Sequence, residues 1–188
     1  MVDIDDDPLK LVPSRHDEWV DAFVAERDRL HEMLTQHSLW YTVERIHHVG
    51  STAVPDLAAK DIVDLDIVVH DEAVFEIART IETELGGTRI ENSETWQPVF
   101  REVNGQRLND HVFAQSDDGW KISVVTRDVL RNNRDLRREY ERLKRQLTNE
   151  YDDLEAYSVG KTAFMQELLD TARQDGSLEY EFEIPNLG

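Results

Sequence analysis

The sequence predicts an α+β domain, and three observations carry that expectation. A run of β-branched residues, KDIVDLDIVVH from Lys60 to His70, has apolar side chains on both faces and reads as a central strand. Asn104-Gly105 stands between two alternating segments, Gln97–Val103 and Arg107–Gln115, and marks a hairpin. From Gly119 onward the spacing of apolar residues turns helical.

The elements follow in order. Trp19, Val20, Phe23, Val24, Leu30, Met33 and Leu34 recur at three- and four-residue intervals, so residues 17–36 form an amphipathic helix. Glu44–Val49 is a short strand that ends in the turn Gly50-Ser51-Thr52. After the central strand, Asp71 can cap a helix that Gly86-Gly87 terminates. Beyond the hairpin, helices are expected at 122–131, 134–149 and 159–173, supported by the pairs Asp128/Arg131 and Glu141/Arg145 at helical spacing. The last dozen residues read as an extended tail or an added edge strand. No linker interrupts the 188 residues, so a single domain is expected: a sheet-containing core over about 1–118, a helical part over about 119–175 and a tail at 176–188.

Composition excludes several functions. The chain has no cysteine, which removes disulfides, thiol catalysis and iron–sulfur ligation. No apolar run approaches the roughly 18 residues of a membrane span, and the acidic start is unlike a signal peptide, so a cytoplasmic protein is expected. Forty acidic residues against 21 basic give a net charge of −19, which disfavours a nucleic-acid partner. Five Lys against 16 Arg on so acidic a background point to a halophilic protein. Self-repulsion opposes compaction, and molar salt, with a Debye length of about 3 Å, relieves it.

Alternate residues of a strand share a face, so Asp64 and Asp66 project together, about 7 Å apart. Two carboxylates on an apolar strand are costly to bury unless compensated. They can lie at a solvated strand tip or pair with Lys60. They can also hold Mg²⁺, which takes one or two carboxylates together with substrate phosphate oxygens. Thirteen residues before Asp64 stands Ser51, in a Gly-Ser turn of the kind that receives phosphate. Strand, Gly-Ser turn, short helix and Asp-Leu-Asp strand together point to a phosphate and metal site.

Gly50-Ser51 followed by Asp64-Leu65-Asp66 resembles the signature of the nucleotidyltransferase superfamily, the fold of DNA polymerase beta and the aminoglycoside nucleotidyltransferases. The stretch His48-Val49-Gly50-Ser51-Thr52-Ala53-Val54-Pro55, with Leu57-Ala58-Ala59-Lys60 and Ile62-Val63-Asp64, resembles more closely the GrpB family, which also occurs fused behind dephospho-CoA kinase. Trp19, His111-Val112, Arg127-Asp128, Leu130-Arg131, Tyr140, Leu143-Lys144, Tyr157, Gly160-Lys161 and Phe164 extend the likeness along nearly the whole chain.

The resemblance implies a nucleotidyltransferase-like mixed β-sheet flanked by helices, with a C-terminal helical segment. It implies a Mg²⁺-dependent transfer of a nucleoside monophosphate from a nucleoside triphosphate to a small-molecule acceptor that the sequence does not name. The alternative is a nucleotide- or CoA-related binding module whose transferase site is degenerate. Asp64 and Asp66 would bind the metal, and Gly50, Ser51 and Thr52 would cradle phosphates. Lys60, Arg127, Arg131, Tyr157 and Lys161 would contact or neutralise the anion, with Lys60 equally able to pair with Asp64. A third carboxylate on a neighbouring strand would serve as base; Asp110 is the candidate, with His111 as the alternative, and adjacent strand residues cannot both reach the site. Close relatives tend to carry histidines where this chain has Leu108 and Ser123, and Gly where it has Asp56. His47-His48 is not a metal pair; one is expected to pack and the other to face the site.

Overall fold

The computed structural model describes residues 10–152 and 154–187, the side chains of 154 and 155 excepted. Five strands form one sheet: β1 (Val43–Val49), β2 (Ile62–Val69), β3 (Thr88–Arg89), β4 (Trp96–Val103) and β5 (Gln106–Ala114). Their order is β1-β2-β5-β4-β3. β2 and β5 run parallel and every other pairing is antiparallel, so the sheet is mixed. The expected central strand is central. Its odd residues Val63, Leu65, Ile67 and Val69 are buried with Leu108 and Val112 of β5 in one apolar core, and its even residues face the other side.

Helices α1 (His16–Gln36) and α2 (Val74–Leu85) cover the first face. Trp19, Leu30 and Leu34 of α1 and Ile77 and Ile81 of α2 are fully buried there, and each such side chain contributes about 1.5–3 kcal/mol. Helices α3 (Gly119–Asn132), α4 (Arg134–Glu150), α5 (Leu154–Val159) and α6 (Thr162–Gln174) stand on the opposite side. Val125, Val129, Tyr140, Phe164, Leu168 and Leu169 make a second cluster among them. None of the helices among the described residues is long and apolar enough to cross a membrane.

The hairpin forms as its residues demand. Asn104 and Gly105 both have positive φ, 52° and 80°, the backbone of a two-residue turn that matches strand twist. Several local expectations are corrected. Asp71 does not cap α2: it lies in a short 3₁₀ turn, Asp71–Ala73, and its Oδ1 accepts from the Ser116 N–H at 3.1 Å, joining the ends of β2 and β5. The helix expected over 159–173 divides at Gly160, where a Cβ would lie 2.5 Å from Leu147 of α4. β3 has only two residues, too few to leave a pattern. Among its described residues the tail adds no strand. Its Tyr180, Phe182 and Ile184 pack on the second cluster, while Glu181 pairs with Arg45 at 2.7 Å.

Candidate active site

A cavity of about 520 Å³ opens between the second sheet face and helices α3 to α5. Its floor follows from strand register. Asp64 stands opposite Asn109 and Asp66 opposite His111 on the parallel pair β2/β5, so alternation places all four side chains on one face. Phe113 and Trp96 continue that face toward the start of α3, near Ser123. The Gly50-Ser51-Thr52 turn, with Tyr140 and Lys144 of α4 and Tyr157 and Lys161 from α5 and its end, forms the facing wall; Lys60 stands at the entrance to β2.

Gly50 is required where it stands. Its φ of 69° with ψ of −169° is a glycine conformation, and a Cβ there would lie 2.5 Å from Asp64 Oδ2. The turn and the first carboxylate are therefore in van der Waals contact. Asp64 Oδ1 accepts from Asn109 Nδ2 at 2.9 Å and lies 3.7 Å from His111 Nε2. Burial pushes its carboxyl up, but the His111 contact and the Lys60 charge outweigh that and hold it below the ordinary value. Asp66 is only 1% exposed and its Oδ2 has no partner. Burial, with Asp64 beside it, pushes Asp66 up to about 7.

His111 resists its own burial: the Asp64 carboxylate close to its Nε2, with the charge of Asp66, raises its pKa. Trp96 Nε1 donates to His111 Nδ1 at 3.3 Å. In the neutral ring this contact leaves the proton on Nε2, facing Asp64. On protonation Nδ1 gives up the Trp96 contact.

The facing wall is cationic. Lys144, on α4, is buried; its Nζ donates to Ser51 Oγ at 3.0 Å and to the Ala58 carbonyl. Burial, reinforced by the charge of Lys161, pushes it down to about 7. Lys161, with its Nζ 4.4 Å from the Tyr157 ring centroid, is pushed down to about 8 by burial and by Lys60. Neither lysine forms an ion pair with a carboxylate among the described residues.

Other candidates lie elsewhere. Asp110 points to the opposite face, buried with Arg101 and Glu26. Arg101 Nη1 donates to Asp110 Oδ2 at 3.0 Å and also to Glu26. Burial and the Glu26 charge raise the Asp110 pKa. It cannot be the third carboxylate, because the strand alternation that brings His111 to the cavity turns Asp110 away. The same face of β5 carries Arg107, Asn109, His111 and Phe113, so no carboxylate there joins Asp64 and Asp66.

Arg127 and Arg131 do not line the cavity. Arg127 Nη1 donates to the His48 carbonyl at 3.0 Å and Arg131 Nε to that of Ala53 at 2.8 Å, so both fasten α3 to the back of the turn. Neither His47 nor His48 faces the cavity. His47 stacks on Trp120, and His48 stacks on Phe23 while its Nε2 meets Thr52 Oγ1 at 3.1 Å. Burial lowers both to about 4.

Sequence reasoning did not select Asn109, Tyr140, Lys144 or Trp96 for the site. Asn109 was within reach, two residues before His111 on the same strand. Lys144 also left a signal, one turn after Tyr140 on the helix face that carries Leu136, Leu143 and Leu147.

Among the described residues no group of three His, Cys, Asp or Glu side chains could hold a metal by itself. The donor set instead suits an ion that completes its shell with water and ligand phosphates. Mg²⁺ fits that description, and the unpartnered Asp66 Oδ2 beside Asp64 is the position that calls for a cation.

The fold and cavity define an α+β protein with a five-stranded mixed sheet, flanked by helices, and one acidic and basic cleft. A profile of the GrpB protein family matches residues 8–171, and the chain belongs to that family. A UPF0157 protein of Pseudomonas aeruginosa is 31% identical over 183 residues, covering 89% of this chain and 69% of that relative. The UPF0157 protein YqkA of Bacillus subtilis is 26% identical over 162 residues, and the match spans 85% of this chain and 46% of that longer relative. The crystal structure of conserved protein GrpB from Enterococcus faecalis has the same fold, with a TM-score of 0.68 at 23% identity over 85% of this chain and 94% of that one.

Proposed function

We propose that the cavity binds a nucleoside triphosphate with Mg²⁺ and transfers its nucleotidyl group to a hydroxyl of a small acceptor. The observation that carries this reading is the opposition of two unlike walls across one cavity: Asp64 and Asp66 on the sheet, and Lys144 and Lys161 beyond the Gly50-Ser51 turn. A buried lysine and a half-buried one, neither ion-paired with a carboxylate among the described residues, call for an anionic ligand, and paired carboxylates call for a cation. A metal-bound polyphosphate satisfies both.

Asp64 and Asp66 would hold the metal. When bound, Mg²⁺ supplies Lewis-acid charge to the reacting phosphoryl oxygens. The Gly50-Ser51 turn, Lys144 and Lys161 would bind the phosphates that depart as pyrophosphate, with Lys144 fixing the Ser51 hydroxyl. Asp64 orients the His111 ring through Nε2, and Nδ1 would take the proton of the attacking hydroxyl as it gives up the contact from Trp96. The acceptor oxygen then bonds to the α-phosphorus as the bond to pyrophosphate breaks. The protein's contribution is positioning and electrostatics.

One observation favours a second reading. β5 presents Asn109 and His111 to the cavity where a third carboxylate is expected, so the chain would be a nucleotide- or CoA-related binding module. Titration calorimetry with each nucleoside triphosphate, with and without Mg²⁺, separates the two. Metal-dependent binding that is lost in Asp64→Asn and Asp66→Asn, with release of pyrophosphate, is the result expected of the transferase. Binding without release assigns the module, and no binding of any nucleoside triphosphate or of CoA, titrated in the same way, removes both.

A further inference from the structure

The net charge of −19 is not spread evenly. Residues 119–150 carry nine basic against five acidic side chains, which leaves twelve basic against thirty-five acidic in the rest of the chain. The excess is ordered on α4. At about 100° and 1.5 Å per residue, Arg134, Arg138, Arg142 and Arg145 fall within about 80° of the helix circumference, in steps of about 6 Å and 4.5 Å. All four are exposed, on the side opposite Tyr140, Lys144 and Leu147, which are buried.

The outer faces of α1 and α6 are net acidic: α1 exposes Asp17, Glu18, Asp21, Asp28 and Glu32 against Arg27, and α6 exposes Glu167 and Asp170 against Arg173. Yet Arg134, Arg138 and Arg142 form no ion pair among the described residues. Arg145 shares Glu141 at 2.8 Å. Where the stripe begins, Arg134, Arg137 and Arg138 surround a second cavity of about 310 Å³ together with Asp56 and Glu141. Arg137 is held toward Asp56 there, at 4.0 Å.

We infer that the arginine stripe of α4, with the cavity at its start, docks the phosphate backbone of a single-stranded nucleic acid. Whole-chain charge argues against such a partner, but the segregation of charge makes this one face locally cationic. Two anions fit the spacing, and magnitudes choose between them. An acidic segment of a second copy, such as the exposed Glu179, Glu181 and Glu183, could face three arginines. Each exposed ion pair shifts an equilibrium by about fivefold at most, so three give roughly a hundredfold, far short of a stable dimer. A nucleic-acid strand also releases condensed counterions, and four arginines along about 17 Å match about five stacked nucleotides. The stripe faces away from the acidic and lysine-lined cavity, so this inference stands whether or not that cavity transfers nucleotides.

The test is fluorescence anisotropy of a labelled oligouridylate of roughly 12 nucleotides, a length suited to a single binding surface. With four phosphate contacts the slope of log affinity against log salt is about −3, which is about a fiftyfold loss between 50 and 200 mM KCl. The triple variant Arg134→Gln/Arg138→Gln/Arg142→Gln should keep the wild-type melting curve and lose about two units of that slope. The triple Lys variant should retain binding. No salt-dependent binding by the wild type, equal binding by the triple Gln variant, or competition by polyglutamate as effective as by RNA would each overturn the inference.

Discussion

Replacing Gly50 by Ala tests the contact on which the cavity is built. The backbone at φ 69° and ψ −169° costs a residue with a Cβ about 1–3 kcal/mol. The new methyl would lie 2.5 Å from Asp64 Oδ2, so the carboxylate must move by about an ångström. It then gives up its bond from Asn109, a further loss of about 0.5–1.5 kcal/mol. The sum of about 1.5–4.5 kcal/mol lowers the melting temperature by about 3–18 °C for a chain of this size. Thermal denaturation by circular dichroism reads the first effect, and calorimetry with Mg²⁺ and ATP reads the second, at least a tenfold weaker affinity. The variant pair Asp64→Ala and Gly50→Ala/Asp64→Ala isolates the clash: in the Asp64→Ala background the Gly50 substitution should cost only the backbone strain. A Gly50→Ala protein that melts within about 1 °C of wild type, with unchanged affinity, would show that the turn does not press on Asp64.

Three other outcomes follow from the same physical description. Arg101→Met leaves Glu26 and Asp110 buried without their shared guanidinium, so it should destabilise the fold by about 3–5 kcal/mol in denaturant titration; a loss below about 1 kcal/mol would show that Arg101 does not hold the two carboxylates together. At pH 8, Lys144 (about 7) is mostly neutral and Lys161 (about 8) is half neutral. An anion raises both, so nucleotide binding should take up roughly one proton, read by calorimetry in two buffers of different ionisation enthalpy; proton release would contradict it. With a net charge of −19, the melting temperature should rise between 0.1 and 2 M KCl, and a flat or falling profile would remove the expectation of salt adaptation.

What the sequence revealed depended on how local each cause was. The central strand, the Asn104-Gly105 hairpin and the shared face of Asp64 and Asp66 follow from periodicity and turn chemistry within a few residues, so they were legible. Alternation also required that only one of Asp110 and His111 reach the cavity. Which one does is set by the pairing of β5 with β2, and by Arg101 and Glu26 gathering Asp110 on the other face. Those partners are distant in the chain. Arg127 and Arg131 share a helix face as expected, but what that face meets is decided by packing, and it meets the carbonyls behind the turn. Lys144 was overlooked because a lysine on a charged helix reads as surface. Its burial depends on Ser51, 93 residues away.

The proposed chemistry is confined to one place: the gap between the Gly50-Ser51 turn and the carboxylates of Asp64 and Asp66. A crystal structure of the protein with Mn²⁺ and a non-hydrolysable ATP analogue tests it most directly, through the anomalous signal of the metal. The expected peak lies within coordination distance of both carboxylates, with the triphosphate against Ser51, Lys144 and Lys161. A metal and triphosphate bound elsewhere, with Asp64 and Asp66 untouched, would contradict it.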